Sequence, residues 1–241
     1  MTKKLYYFFI LISAIIAQNS LSLPDVEGDV GDSLIYNVYV DNEESFVGFQ
    51  FDIELNESLS LDFSSPELTS RAVDHTLQVI DLGENRFRFF SFSQTQSNFS
   101  GQSGSILTFQ IFLNANPGSF QTQLFNPVLG NENSVNIVSS FSNGQITVIG
   151  SKAIYNPTII DLGRVALESE QSFEFTIHNE GNSSLIINNI QPSTSDITIQ
   201  NLQINDISPG DFETITLFFT TENRGPISEN ILITTNEFSN E

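Results

Sequence analysis

Histidine is the side chain of this sequence best suited to acid–base chemistry, and it occurs twice, at His75 and His178. No cysteine is present, so the two imidazoles cannot be completed into a zinc site rich in His and Cys. Residue order alone leaves a Ser-His-Asp triad open, but the Gly-x-Ser-x-Gly nucleophile elbow is missing. His178 falls in a predicted strand, where we expect a structural role. We therefore predict no catalytic residue, no cofactor and no enzyme activity.

Carboxylates are abundant and have two possible uses, sugar hydrolysis and calcium binding. Glycoside hydrolysis needs two acids across a cleft, and among 29 acidic residues many pairs would qualify by chance. Asp25, Glu27, Asp29 and Asp32 precede the first predicted strand and offer the hard oxygen ligands that calcium prefers. They lack the twelve-residue loop and closing Glu of an EF-hand. No metal site is therefore predicted, and calcium binding stays an open alternative.

Two segments have the pattern of a partner-binding surface. Residues 47–55 alternate between apolar and polar side chains, which indicates a strand with one buried face. Residues 86–93 carry aromatic side chains on both faces, so one Phe pair is turned outward if the other is buried. The alternative is that loops or a second domain cover that pair. The predicted partner-binding residues are Gln50, Asp52, Arg88 and Phe90.

Both segments belong to a series of short strands separated by Gly, Asn, Asp and Pro turns. Such spacing favours a sandwich or jelly roll, and fits a barrel less well because the loops are uneven in length. Pro66–His75 is the stretch that could hold a helical turn. The predicted strands are Ser33–Asp41, Val47–Leu55, Ser60–Phe63, Thr76–Asp81, Arg86–Ser93, Ser105–Leu113, Ser119–Phe125 and Gln145–Ile149.

The strand pattern restarts after residues 150–157, which we interpret as a linker. The second half fits a smaller immunoglobulin-like sandwich, in which a closing strand would be expected after the last predicted one. An Asn-x-Gly turn at Asn179–Gly181 predicts positive φ between two strands. The predicted strands are Thr158–Leu162, Gln171–Asn179, Ser184–Ile190, Ile197–Leu202, Phe212–Thr220 and Ile227–Thr234.

The N-terminus has the pattern of an export signal. Lys3 and Lys4 precede an apolar run from Leu5 to Ala17, which is too short to span a membrane. Cleavage after Ala17 is possible, but Ser20–Ser22 fits the small-x-small rule better. The predicted organisation is a signal over residues 1–22, a sandwich over 24–149, a linker over 150–157 and a second sandwich over 158–241. No later segment is long and apolar enough to span a membrane.

Net charge excludes one class of partner. Without Lys3 and Lys4 the chain has six basic residues against 29 acidic ones, a net charge of −23. Such a surface repels phosphate backbones, so nucleic-acid binding is not predicted. The 22 Phe residues and the lack of cysteine indicate that apolar burial, rather than disulfides, stabilises the fold.

Several short motifs follow one another in a recognisable order and spacing within residues 26–149. They are Val30–Ser33, Val38–Asn42, Val47–Asp52, Arg86–Ser93, Gly101–Phe109 and Asn143–Val148. In this order and spacing, residues 26–149 resemble the cohesin family. Cohesins are nine-stranded jelly-roll sandwiches that bind calcium-loaded dockerin modules through one sheet face, and they are related in structure to carbohydrate-binding modules. The resemblance therefore implies this fold and a dockerin-type partner.

A second set of segments lies within residues 155–241. They are Ile160–Val165, Phe175–Asn182, Ile207–Gly210 and Ile231–Asn236. With these segments, residues 155–241 resemble the immunoglobulin-like repeats of bacterial surface proteins and of the ASH/Hydin group. That resemblance implies an architectural role, and the missing final strand departs from the pattern.

The sequence as a whole predicts an exported all-β protein, a jelly-roll sandwich followed by a smaller immunoglobulin-like sandwich. By resemblance, we expect a non-catalytic adhesion or scaffolding protein, secreted or at the cell surface. It would bind a dockerin-type protein and serve polysaccharide degradation. The alternative is direct carbohydrate binding, which the absence of Trp disfavours because Trp is the preferred residue for sugar stacking. A hydrolase would need a carboxylate pair in a shared cleft.

Overall fold

The computed structural model describes residues 18–200 and 206–238, and these residues contain strands and no helix. The all-β prediction is confirmed. The strands of the first half are β1 Ser20–Ser22, β2 Val26–Asp29, β3 Ser33–Asp41, β4 Gly48–Glu54, β5 Ser60–Leu61, β6 Glu67–Leu68, β7 His75–Asp81, β8 Arg86–Ser93, β9 Ser103–Phe112, β10 Gly118–Gly130, β11 Ser140–Ser142 and β12 Gly144–Ile149.

These strands form two sheets packed into a jelly-roll sandwich. One sheet has the order β11-β1-β3-β9-β5, with β6 also paired to β9, and the other has the order β2-β12-β10-β4-β8-β7. The pairs β1–β11 and β2–β12 are parallel, and the other pairs are antiparallel. The second sheet therefore places β10, β4, β8 and β7 side by side.

Stacked phenylalanines fill the space between the two sheets. Phe51 packs against Phe89 with ring centroids 5.8 Å apart, and Phe89 stacks on Phe109 of the opposite sheet at 5.1 Å. All three side chains are buried. Burying a large apolar side chain contributes about 1.5–3 kcal/mol, so a Phe-rich core can stabilise a sandwich that has no disulfide. Because alternate residues point to opposite faces, β4 and β8 turn their other side chains outward.

A buried arginine organises the segment that could have held a helical turn. Arg71 lies within residues 66–75, where the structure has the short β6 and a series of turns instead of a helix. Its guanidinium donates to the carbonyl oxygens of Val40 and Ser100, both at 2.8 Å, and to Asn42 Oδ1 at 2.7 Å. These acceptors satisfy the buried cation, so this arginine holds loops together and is not available to a partner.

The second half forms a smaller sandwich with its own apolar core. A four-stranded sheet has the order β13-β14-β17-β16, and a two-stranded sheet pairs β15 with β18. Ile177, Leu185 and Leu217 are fully buried between them. The strands are β13 Ala153–Asn156, β14 Gln171–Asn179, β15 Ile187–Pro192, β16 Ile197–Ile199, β17 Phe212–Phe219 and β18 Ile231–Thr235.

The predicted strand Thr158–Leu162 is wrong, and the strand lies earlier, at β13. β13 falls inside residues 150–157, so half of the predicted linker is paired with β14. Ala153 is buried and Tyr155 half-buried against the core, which fixes the face of the strand. Pro157 has no N–H to donate to a ladder, and the strand ends just before it.

A tight turn of the second sandwich packs onto the junction. The Asn182 side chain donates to the Val148 carbonyl oxygen at 2.8 Å and accepts from the Gly150 N–H at 2.9 Å. The prediction of positive φ at Gly181 is wrong. Glycine is needed there for another reason, because a Cβ at Gly181 would lie 2.4 Å from the Gly150 carbonyl oxygen.

This contact predicts a junction-sensitive variant. Gly181→Ala should destabilise the protein by about 1–3 kcal/mol, because the added methyl group has no room against the Gly150 backbone. It should also make residues 150–157 more sensitive to limited proteolysis. Thermal unfolding and peptide mapping would measure both effects. Ser184→Ala, an exposed position in the same turn, is the control, and equal stability of the two variants would refute the contact.

Residues 19–22 are part of the first sandwich, which bears on where a predicted export signal could end. Residues 1–17 lie outside the described residues, but Asn19 is buried and accepts the N–H groups of Glu43 and Glu44 at 3.0 and 3.1 Å. Leu21 of β1 is fully buried in the core of the first sandwich. Cleavage after Ser22 would remove a paired strand, so the predicted boundary at residue 22 does not fit the fold.

Cleavage after Ala17 would keep β1 intact, so if the predicted signal is removed we expect the remaining chain to begin at Gln18. Mass spectrometry of the protein recovered from its own host would determine the first residue. A variant that starts at Leu23 should unfold at lower temperature than one that starts at Gln18, since it lacks both β1 and the Asn19 hydrogen bonds. An exported chain that begins at Leu23 and keeps full stability would contradict this assignment.

Candidate functional site

The four predicted partner-binding residues lie together on adjacent strands. Asp52 is directly opposite Arg88 in the pairing of β4 with β8, and Gln50 is opposite Phe90. Their neighbours Phe51 and Phe89 point into the core, so period-two alternation turns the predicted set to the outer side of the sheet. We call the outer side of β10, β4, β8 and β7 the outer face.

Asp52 lies beneath two guanidiniums at the centre of the outer face. Arg88 donates from Nε to Asp52 Oδ1 at 2.7 Å and from Nη2 to Oδ2 at 3.0 Å, and Arg86 donates from Nη2 to Oδ2 at 3.1 Å. The Asp52 side chain is 1% exposed, whereas the two arginine side chains are 28% and 34% exposed. Bidentate Arg–carboxylate pairs are among the stronger and more directional hydrogen bonds.

The burial of Asp52 changes its predicted role. A carboxylate that is covered by its own neighbours cannot reach a partner, so we assign Asp52 the positioning of Arg86 and Arg88. The hydrogen bonds from Arg88 hold the pKa of Asp52 below its usual range, against the opposing effect of burial. The same bonds raise the pKa of Arg88. The ion pair is therefore fully charged at neutral pH.

An aromatic pair adjoins this charge cluster. Phe90 and Phe92 stack with ring centroids 5.3 Å apart, and both side chains are half-buried. In the pairing of the strands, Phe90 stands between Gln50 of β4 and Gln78 of β7. The parts of these two rings that stay exposed form an apolar patch flanked by polar side chains. Such patches often mark protein interaction sites.

Three further residues complete the outer face and were not predicted. The Arg86 guanidinium carbon lies 4.0 Å from the ring centroid of Phe125, a cation–π contact. Ile80 of β7 is opposite Arg88 and 47% exposed. Arg86 could have been found from its i, i+2 spacing to Arg88. Phe125 and Ile80 could not, because their positions depend on pairings with other strands.

The two histidines do not come together. The ring of His75 lies 3.8 Å from that of Phe99 in the first sandwich, and burial lowers the pKa of this imidazole. His178 stacks on Phe212 at 5.7 Å in the second sandwich. Each imidazole is packed on an aromatic ring of its own domain. A site that uses both histidines is therefore excluded.

The acidic run before β3 does not form a cluster of ligands. Over residues 18–200 and 206–238, no three His, Asp or Glu side chains are grouped so as to hold a metal ion. Glu27 and Asp29 are exposed along the edge strand β2. Calcium binding by these residues, which the sequence left open, has no geometric support. The described residues also contain no helix that is long and apolar enough to cross a membrane.

Comparison with known proteins gave one family match and several structural likenesses. Residues 154–241 match a family model described as "Protein of unknown function (DUF1573)". A search of curated proteins found no match. One similar chain is found in a type I cohesin–dockerin complex from Clostridium thermocellum. The similarity covers 56% of this chain and 97% of that chain, with 10% identity and a TM-score of 0.47.

Two further solved structures are similar over the same half of the chain. The solution structure of CaCohA2 from Clostridium acetobutylicum shares 19% identity, covers 54% of this chain and 90% of its own, and has a TM-score of 0.49. A non-cellulosomal cohesin from the archaeon Archaeoglobus fulgidus shares 13% identity, covers 55% of this chain and 92% of its own, and has a TM-score of 0.48.

The lowered pKa of Asp52 predicts a specific pH dependence of stability. An unfolded Asp has a pKa of about 3.9. In the folded protein the pKa of Asp52 is lower than this. The contribution of the Asp52 carboxylate to the free energy of unfolding is therefore complete at pH values above the unfolded pKa. It is lost as the pH falls through the folded pKa. At pH 7, Asp52→Asn should cost about 1.5–3 kcal/mol, the range for hydrogen bonds to charged groups.

Denaturant unfolding of both proteins at several pH values tests this expectation. The difference in unfolding free energy should be constant at neutral pH and should shrink below about pH 4. Other carboxylates titrate equally in the two proteins, so the difference isolates Asp52. A difference that did not change with pH would show that the carboxylate charge does not stabilise the fold.

Proposed function

We propose that this protein is a non-catalytic adhesion or scaffolding protein that acts outside the cell. Its first sandwich binds a dockerin-type protein through the outer face, and it takes part in the assembly of polysaccharide-degrading proteins. The observation that carries the proposal is the stacked pair Phe90–Phe92 beside the Arg88–Asp52–Arg86 cluster. The sequence resemblance of residues 26–149 to cohesins supplies the class of partner.

The chemistry of the outer face matches that of protein-binding surfaces. Aromatic residues and arginine are enriched at the centres of interfaces and carry most of their affinity. Here Phe90 and Arg88 are neighbours on one strand, and both are partly exposed. They stand on paired strands over a packed Phe core, so little side-chain or backbone entropy is lost when a partner binds.

Charge favours a partner with acidic groups. Arg86 and Arg88 are two of the six basic residues that follow the N-terminal lysine pair in a chain with 29 acids. The two guanidiniums share the Asp52 carboxylate, and Glu54 stands opposite Arg86, so this part of the face offers exposed donors without the excess negative charge of the rest of the chain. Complementary charge across an interface increases association rates and specificity. A partner that offers carboxylates to Arg88 and an apolar side chain to Phe90 would satisfy both features.

A role outside the cell is supported by the N-terminal pattern. Lys3 and Lys4 followed by the apolar run to Ala17 have the composition of an export signal. A non-catalytic role is supported by the separation of His75 from His178 and by the use of Asp52 in a structural ion pair. Carbohydrate binding is the second candidate, because sugars pack on aromatic rings and the outer face carries two half-buried ones, Phe90 and Phe92.

Calorimetric titration with a purified dockerin module tests the proposal. Phe90→Ala and Arg88→Ala should each weaken binding by about 2 kcal/mol or more, roughly thirtyfold, as for residues at the centre of an interface. Gln50→Ala removes a single neutral side chain and should cost less than about 1 kcal/mol. Phe112→Ala is the matched control, since Phe112 is 40% exposed on the opposite sheet.

Thermal unfolding of each variant separates binding from folding. A loss of affinity counts only in variants that remain folded at the temperature of the titration, because Arg88→Ala leaves the buried Asp52 carboxylate with Arg86 alone and should lower the melting temperature. Unchanged affinity in folded Phe90→Ala and Arg88→Ala proteins would refute the outer face as the binding site. Saturable binding of soluble polysaccharide, lost in Phe90→Ala, without binding of dockerin would favour the carbohydrate alternative.

A further inference from the structure

Gly130 is the one glycine of this chain that the fold itself does not require. The structure describes all 14 glycines. Eight of them have positive φ, and five others would bring a Cβ within 3.0 Å of another atom. At Gly130 φ is not positive, and the nearest neighbour of an added Cβ would be the Gly48 carbonyl oxygen at 3.9 Å. Glycine weakens a strand and often marks the close approach of a ligand or another backbone, so its presence at residue 130 needs a different explanation.

A β-bulge turns Gly130 to the outer face. Between Phe125 and Val128, β10 advances three residues while its partner β4 advances two. One extra residue reverses the alternation of side chains beyond it. Leu129 therefore enters the core, where it is fully buried, and Gly130 is turned outward. The bulge thus places a position without a side chain on the same side of the sheet as the Phe90–Phe92 stack.

Two bare backbone positions lie side by side on this part of the outer face. Gly130 is paired with Gly48 of β4, and Gly48 is paired with Phe92 of β8. Gly48 has to be glycine, because a Cβ there would lie 2.6 Å from the Ser91 carbonyl oxygen. Val128, two residues before Gly130, and Phe92 border the pair, and both side chains are half-buried. We call the space above Gly48 and Gly130 the recess.

Neutral side chains adjoin the recess, although the chain as a whole has a net charge of −21. A charged group placed above Gly48 and Gly130 would lose hydration without gaining an opposite charge from these neighbours. An apolar side chain would instead stack against Phe92 and remove apolar surface from water. The outward residues in register with the recess, or in the next row of the sheet, are Thr76, Gln78, Phe90, Phe92, Gln50 and Val128.

We propose that the recess receives an apolar side chain of the dockerin-type partner, which lies on Gly48 and Gly130 and stacks against Phe92. The inference rests on the function proposed above and deepens it, because it names a position that determines which partners fit. Glycine at residue 130 leaves room for the incoming group, and Phe92 supplies its apolar contact. Any side chain at residue 130 would take up the same space.

Filling the recess from the side of this protein tests the inference. In Gly130→Leu the new side chain occupies the recess, so binding of the purified dockerin module should weaken at least about tenfold in calorimetric titration, and Gly130→Ala should weaken it less. Gln121→Leu is the matched control, because Gln121 is an exposed residue of the same strand, about 30 Å away along β10. This control should bind the module as tightly as the parent.

Melting temperatures show whether the recess is empty in the free protein. An added Cβ at Gly130 meets no atom nearer than 3.9 Å, and alanine restricts the unfolded chain more than glycine does. Gly130→Ala should therefore melt at the temperature of the parent or slightly above it. A fall in the melting temperature of both Gly130 variants, absent from Gln121→Leu, would mean that residues of this chain already fill the recess, and would overturn the inference.

Alanine variants of the dockerin module identify the occupant. One apolar-to-alanine substitution in the module should weaken binding to the parent at least about tenfold. The same substitution should have little further effect on binding to Gly130→Leu, as expected for two groups that share one contact. A charged dockerin side chain in that role, or equal affinity of Gly130→Leu and Gln121→Leu, would overturn this inference alone. Failure of the parent to bind the module would overturn the proposed function with it.

Discussion

The outer face of the first sandwich depends on one buried charge, the carboxylate of Asp52. A carboxylate that is 1% exposed must be paired, because an unpaired buried charge is costly. Arg86 and Arg88 provide the pairing, and Arg86 also packs over Phe125. The pairing fixes both guanidiniums on one face of β8, two residues apart along the strand. The stacked Phe90 and Phe92 follow on the same face of β8. The ion pair thus converts flexible arginines into rigid parts of a surface.

The two sandwiches meet through close backbone contacts and through the ring of Phe238, which packs on Gly31. Gly150 and Gly181 approach so closely that neither the added methyl of an alanine nor a bulkier group fits at Gly181, and the Asn182 side chain bridges to Val148. The strand β13 begins three residues after Gly150. This short, hydrogen-bonded connection contrasts with the linker predicted over residues 150–157.

Local patterns allowed the elements to be predicted, but not the contacts between distant strands. Alternation indicated which side chains share a face within β4 and within β8, because period two depends on neighbouring residues alone. The resemblance to cohesins was needed to put Gln50, Asp52, Arg88 and Phe90 on one sheet. The burial of Asp52 was not predictable, since Phe125 and the two arginines come from other strands. Thr158–Leu162 was wrongly assigned because its apolar residues Ile160 and Leu162 pack against the core of the second sandwich without joining a ladder. Gly181 was read as a positive-φ turn because a close backbone approach leaves no local signal.

Chemical-shift mapping of the full chain with a dockerin module tests the central claim most directly. We expect binding to perturb the Arg88 Nε–H signal, the Phe90 ring and the Ile80 methyl groups, which lie together on the outer face, while Ile35 and Phe112 on the opposite sheet stay unchanged. Perturbation centred on Ile35 and Phe112, with Arg88 and Phe90 unaffected, would contradict the account.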